Sequence, residues 1–289
     1  MKTVYSLEDL RTQIQCWRRE SARIALVPTM GNLHAGHISL LERARALADR
    51  SVVSIFVNPI QFGKGEDYAK YPSTLDADME KLGAAGLDLL FAPNLAELYP
   101  GGIEEDTRVT VPGLSAILCG QFRPGHFSGV ATVVTKLFNN VQPDVALFGE
   151  KDYQQLLVIK RMAHDLLLPI EILGMPIVRE SDGLAMSSRN AYLSPLERGR
   201  APRIYAALQE AATKLSKGAQ SIIAIETAAM ADLAAAGFRP EYFSVRRPTD
   251  LSSPQLGDTS VQILVAAWLG SARLIDNLHV ALDQPLAIL

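Results

Sequence analysis

Cysteine is nearly absent from this 289-residue chain, which holds only Cys16 and Cys119. Two thiols so far apart make no disulfide framework, which excludes a small cross-linked secreted scaffold and points to a reducing cytoplasm. Neither lies near another ligand-type residue at zinc spacing. No run approaches the roughly 20 apolar residues that span a bilayer, and the opening residues 1–9 have no apolar stretch of signal-peptide type. Excess charge is lacking too: 28 Lys and Arg face 31 Asp and Glu, a net of −3. Without a global basic field, neither nucleic acid nor an anionic membrane is an expected partner, and any anion must be held by local groups. What remains is an ordinary globular composition, 48% hydrophobic and 20% charged. It excludes a disordered chain and suffices for one large domain or two unequal ones.

The first part of the chain alternates strand and helix patterns. Residues 24–28, 51–57, 87–92, 145–148 and 170–173 read as strands, and 51–57 is almost continuously apolar and β-branched, which suits a parallel strand covered on both faces. Helical spacing runs through 37–49, 74–85, 128–141 and 153–166. Alternation of this kind implies βαβ units and a doubly wound parallel sheet, with ligands beyond the carboxyl ends of its strands. After about Arg179 the pattern changes. Residues 195–215 and 222–236 read as helices and 242–246, 261–268 and 272–277 as antiparallel strands, with Gly257 and Gly270 at turns. The expectation is an α/β domain over 1–178 and a smaller α+β domain over 179–289.

The densest chemical signal is His34-Ala-Gly-His37, where a strand should become a helix. Glycine allows a ligand close to the backbone, and a helix N-terminus offers N–H groups and a positive dipole end to phosphate. Two imidazoles add donors that become cations as negative charge builds. The competing readings are a pair of surface imidazoles and half of a metal site. Asn58 and Gln61 follow the second strand and offer neutral amides to a small polar molecule; taken alone, a plain proline turn is the readier explanation. Glu150, Lys151 and Asp152 stand at a strand-to-helix junction, suited to phosphate or to simple capping. Ser187, Ser188 and Arg189 could grip an oligophosphate or be a solvated linker. Arg123-Pro-Gly-His126 is a turn with a cation and an imidazole, and residues 63–67 form a glycine-rich polar edge.

Taken together and in this order, these segments carry a resemblance. VPTMGNLHAGH at 27–37, SIFVNPIQF at 54–62, RPGHF at 123–127, VQPD at 141–144, FGEKDYQQ at 148–155, DGLAMSSRN at 182–190 and VAAWLG at 265–270 resemble the pantothenate synthetase (pantoate–β-alanine ligase) family of the nucleotidyltransferase-like Rossmann superfamily. Ile60 stands where that family has methionine, and the helix opens His37-Ile-Ser-Leu. Neither departure removes a polar functional group.

The resemblance implies a Rossmann-like first domain that binds ATP and pantoate, and a C-terminal lid. Pantoate would be adenylated by ATP, and β-alanine would take the acyl group to give pantothenate, AMP and diphosphate. It implies that His34 and His37 contact the phosphates, with His37 as proton donor. Met30, Gly31, Asn32, Leu33, Ala35 and Gly36 would line ATP with them. Lys151 would hold phosphate oxygens, and Ser187, Ser188 and Arg189 the triphosphate tail. Gly149, Glu150 and Asp152 would line the nucleotide, with Val178 and Met186 on the adenine side. Gln61 and Gln155 would bind pantoate, with Asn58 and Arg123 as further substrate contacts. Mg2+ would accompany ATP, with Asp78 as its protein partner, and the chain would form a homodimer in the cytoplasm. The alternatives are a nucleotidylyltransferase that stops at an adenylated product, a tRNA-loading synthetase, which the negative charge disfavours, and a nucleotide sensor without turnover.

Overall fold

The computed structural model describes residues 1–63, 65–71, 74–218 and 221–286. The first unit, Met1–Glu150 and Gln155–Pro176, is built on six strands: β1 (Lys2–Val4), β2 (Ile24–Thr29), β3 (Arg50–Ile55), β4 (Leu89–Phe91), β5 (Val145–Gly149) and β6 (Glu171–Met175). All pair in parallel, in the order β1-β4-β3-β2-β5-β6. Successive side chains on a strand point to opposite faces. Ala25, Val27, Val53, Leu90, Val145 and Leu147 therefore share one face, packed on Leu40, Leu41 and Ala44 of α2 (Ala35–Leu47) and Leu82 of α3 (Leu75–Ala84). On the opposite face α6 (His126–Val141) packs on β2 and on α1 (Leu7–Arg19). The short helices α4 (Leu95–Leu98) and α5 (Cys119–Phe122) precede α6, and α7 (Tyr153–Asp165) joins β5 to β6.

Residues 2–19, given no element in the sequence reading, form β1 and α1. Their signals are present: the Ser6 side chain accepts from Asp9 N at 3.1 Å as an N-cap, and Leu10, Ile14 and Trp17 make the buried stripe. The chain leaves β2 toward β3 on one side and finds β5 on the other. The strand order thus reverses between β2 and β5, and the turns leaving those two strands border the crevice where open α/β sheets bind ligands.

The second unit, Lys151–Gln154 and Ile177–Leu289, carries α8 (Pro195–Arg200), α9 (Arg203–Ser216), α10 (Ile222–Ala235) and an antiparallel sheet of β7 (Arg239–Arg246), β8 (Ser260–Leu269) and β9 (Ala272–Ala281). One sheet face, with Phe243, Val245, Val261, Ile263, Val265 and Ala267, shares a core with Ile204, Leu208, Ala211 and Leu215 of α9. The single helix expected over 195–215 is two. Pro202 stands between α8 and α9 and has no N–H to continue the ladder. The division also departs from the boundary at residue 178. It falls after Pro176, and Lys151–Gln154 groups with the C-terminal residues. Two bonds explain the excursion: Asn277 Nδ2 donates to Lys151 O at 3.0 Å, and Tyr153 Oη to Pro248 O at 2.9 Å.

Helix α6 reaches the loop after β3 through Gly129. A Cβ there would lie 2.6 Å from Ile60 O and 2.7 Å from Gln61 N. Gly129→Ala is expected to cost about 1–3 kcal/mol, as overpacking does, measured as a lower denaturant midpoint. An unchanged midpoint would refute this seating of the helix.

Candidate active site

The turn after β2 is held from below. Gly31 and Asn32 take positive φ (81° and 51°), and a Cβ at Gly31 would lie 3.1 Å from Ile55 Cγ2 and 3.2 Å from Asp78 Oδ2. Glycine is thus required twice over, by conformation and by space. Asp78 of α3 is fully buried and accepts from Asn32 N and Leu33 N, each at 2.8 Å, and from Thr74 Oγ1 at 3.0 Å. Lys81 Nζ donates to Leu33 O at 2.7 Å. The Asp78 carboxylate is enclosed and accepts from the amides of the turn, so it shapes the turn.

The turn delivers His34 as the N-cap of α2. His34 Nδ1 accepts from Gly36 N at 3.2 Å, and His37 Nδ1 accepts from His34 N at 3.3 Å. The ring centroids are 4.1 Å apart. An Nδ1 that accepts a backbone N–H carries no proton, so in both rings the proton sits on Nε2. Each imidazole is thereby oriented as an Nε2–H donor. Ala35 and Gly36 open the helix behind them. Among the described residues no group of three His, Cys, Asp or Glu side chains gathers to hold a metal.

The amide group adjoins this turn. Gln61 Nε2 lies 2.8 Å from Met30 Sδ, which brings two predicted site residues together. Asn58 is 1% exposed and bonded on every side: Nδ2 donates to Gln61 Oε1 (3.2 Å) and Gly129 O (3.1 Å), and Oδ1 accepts from Tyr99 Oη (2.8 Å). Within the fold Asn58 supports Gln61. Arg123 is likewise engaged within the fold. Its guanidinium forks onto Glu66 at 2.7 and 2.6 Å, meets His126 Nε2 at 3.0 Å and reaches Gln61 O at 3.4 Å. Arg only donates, so His126 Nε2 accepts; its Nδ1 then carries the proton it gives to Gln61 O at 2.7 Å. Arg123 and His126 thus brace the Gln61 backbone. Lys64 of the glycine-rich edge lies outside the described residues, while Glu66 is held by Arg123.

Gly149 ends β5, where a Cβ would meet nothing within 4 Å, which leaves the strand end open to approach. Glu150 turns back over β6, where Gly174 makes room for it. Gln155 is half-buried in the first turn of α7.

The second unit gathers the other predicted nucleotide residues. Val178 O accepts from Met186 N at 3.0 Å across an Arg179–Ala185 bridge, which makes these two neighbours. Ser187 caps the 3-10 turn Ser188–Tyr192 by accepting from Arg189 N at 3.3 Å. Lys151 is mostly buried, 3.9 Å from Asp152 Oδ2. Two adjacent β9 residues, unsuspected from sequence, anchor both segments. Asp276 takes the Arg179 guanidinium at 2.6 and 2.9 Å, and Asn277 holds Lys151 O. Burial pushes the Asp276 carboxyl up, against the hold of Arg179, which also stacks on Tyr205 at 3.6 Å.

A family profile described as Pantoate-beta-alanine ligase matches residues 2–279. The chain belongs to the pantoate–β-alanine ligase family. The pantothenate synthetase of Thioalkalivibrio sulfidiphilus is 57% identical over 98% of this chain and 99% of its own length. That of Pseudomonas putida W619 is 54% identical over 99% and 100%. The crystal structure of the Thermus thermophilus enzyme superposes with a TM-score of 0.88 at 48% identity, covering 96% of this chain and 99% of that one. The Francisella tularensis ligase, complexed with beta-gamma ATP and β-alanine, superposes at 0.82 with 33% identity over 96% and 97%. Among the described residues no helix is long and apolar enough to cross a membrane.

The residues that sequence reasoning missed in this ligase, Tyr99, Gly129, Asp276 and Asn277, have no local motif; each works through a partner distant in the chain. Glu66 yields a pH test. Burial pushes its carboxyl up, but the Arg123 fork, the Gly63 amide and His126 outweigh this and hold it below its ordinary 4.5. Its contribution to stability is complete above pH 4.5 and is lost as pH falls through the depressed folded value. A carboxyl-carbon NMR titration should place the Glu66 midpoint below 4.5, and in Arg123→Ala at or above it.

Proposed function

We propose that this ligase joins pantoate to β-alanine in two steps at a site centred on the turn after β2. A pantoate carboxylate oxygen attacks the α-phosphorus of ATP; the bond to the β-phosphate breaks and diphosphate leaves. The free amine of β-alanine then attacks the acyl carbon of pantoyl adenylate; the acyl–phosphate bond breaks, AMP leaves, and the amine gives up a proton as the amide forms. No covalent enzyme intermediate is needed, so the protein's contribution is positioning and charge stabilisation.

The supporting observation is the junction at Met30: the turn with two oriented Nε2–H imidazoles touches the carboxamide of Gln61. Met30, Gly31, Asn32, Leu33, Ala35 and Gly36 bring backbone up to the nucleotide, and His34 and His37 donate to phosphate oxygens as charge accumulates, His37 at the α-phosphate. Lys151, Ser187, Ser188 and Arg189 neutralise the departing diphosphate, with Gly149, Glu150 and Asp152 beside the nucleotide and Val178 and Met186 on its adenine side. Gln61 and Gln155 orient the hydroxy acid. Neutral amides suit that task because they bind oxygen without adding a charge that would weaken the carboxylate nucleophile. Mg2+ arrives on ATP, held by phosphate oxygens and water, the usual mode for this ion. The working form is a cytoplasmic homodimer.

Diphosphate and AMP release are followed with ATP, magnesium and pantoate, with and without β-alanine. Pantothenate and AMP should form together only when β-alanine is present; AMP release indifferent to β-alanine would indicate an enzyme that stops at the adenylate. His37→Ala should lower kcat by on the order of 10². Full activity in that variant would remove His37 from the chemistry.

A further inference from the structure

We infer that the Tyr99 hydroxyl is a positioning residue for pantoate, acting through Asn58 to aim the amide hydrogens of Gln61. The inference rests on the reading of Gln61 as a pantoate contact and deepens it. The polarity of the chain follows from groups that have one role each. Gly129 O is a carbonyl and only accepts, so the Asn58 atom 3.1 Å from it is the amide nitrogen. Asn58 Oδ1 therefore faces Tyr99 Oη at 2.8 Å, and the phenol must donate. The second hydrogen of Asn58 Nδ2 goes to Gln61 Oε1 at 3.2 Å. With its oxygen taken, Gln61 turns its NH2 the other way, against Met30 Sδ at 2.8 Å. A thioether is a weak acceptor, so a hydroxyl or carboxylate oxygen of the hydroxy acid competes for those hydrogens on favourable terms.

Tyr99 is built to stay a donor. It is 2% exposed, and burial, reinforced by the charge of Asp106, pushes its phenol well above the usual range. Lys136 Nζ sits 4.1 Å from the ring centroid and is tied to Leu98 O and Asp106 Oδ1, so the ring is clamped independently of its hydroxyl. Without that hydroxyl, the Asn58 oxygen is a buried acceptor with its partner gone, the costly situation for a polar group. Asn58 then leaves its place or admits water, and Gln61 loses the donor that orients it.

Tyr99→Phe keeps the ring and its cation, and removes the oxygen alone. The pantoate KM should rise on the order of 5- to 20-fold, as for loss of a buried hydrogen bond, while the ATP KM and the kcat at saturating pantoate stay within about twofold. A double-mutant cycle separates positioning from general loosening. In the Gln61→Ala background, Tyr99→Phe should change the pantoate KM no further; a merely structural role would multiply through both backgrounds. If Gln61→Ala raises the pantoate KM and Tyr99→Phe does not, the inference about Tyr99 is wrong. If Gln61→Ala itself leaves the pantoate KM unchanged, the reading of Gln61 fails first.

Discussion

One enclosed carboxylate organises the chemistry of the first unit. Asp78 accepts the amides of Asn32 and Leu33 from beneath the turn after β2, and everything above that turn depends on it. A buried charge is tolerable only when its oxygens are satisfied; here those partners are backbone amides of the turn itself. Satisfying the carboxylate and fixing the turn are the same event. The turn sets where α2 begins, and the start of α2 sets which nitrogen of His34 and His37 bears the proton.

The histidines illustrate how backbone geometry specifies chemistry. Three imidazoles stand in this unit's site region with two different tautomers. His34 and His37 accept at Nδ1 from backbone amides, whereas His126 donates at Nδ1 to a carbonyl and accepts at Nε2 from Arg123. The first arrangement presents donors suited to an incoming anion. The second uses its ring entirely for support. Side chains alike in sequence are thus divided between chemistry and scaffolding by what the main chain offers them. The two amides differ in the same way: Asn58 bonds to Gly129 O, Tyr99 and Gln61, whereas the Gln61 NH2 lies against the weakly accepting Met30 Sδ.

In the second unit the corresponding support comes from β9. Asp276 and Asn277 are consecutive, so their side chains leave opposite faces of the strand, yet each ends on a segment assigned to the nucleotide: the hairpin before Ser187 through Arg179, and the Lys151 backbone directly. The excursion of Lys151–Gln154 into this unit follows from the second of these bonds together with Tyr153.

The alternating apolar runs by themselves determined the parallel α/β unit, the smaller α+β unit and nearly all their strands and long helices, because burial of a face imposes a period that is written locally. The glycine, histidine, amide and serine–arginine motifs, taken in order, carried the family resemblance that implied the reaction class. Only the tertiary structure decided which partners the named residues find within the fold. Asp78, Asn58 and Arg123, read as ligand groups in the sequence, have hydrogen-bond partners within the fold; Tyr99, Gly129, Asp276 and Asn277, which no local pattern marks, are among the groups that hold these segments in shape. The physical reason is that a polar side chain's role depends on whether its hydrogen-bonding capacity is already used, and the partners that use it lie up to 126 residues away, beyond the reach of any local pattern.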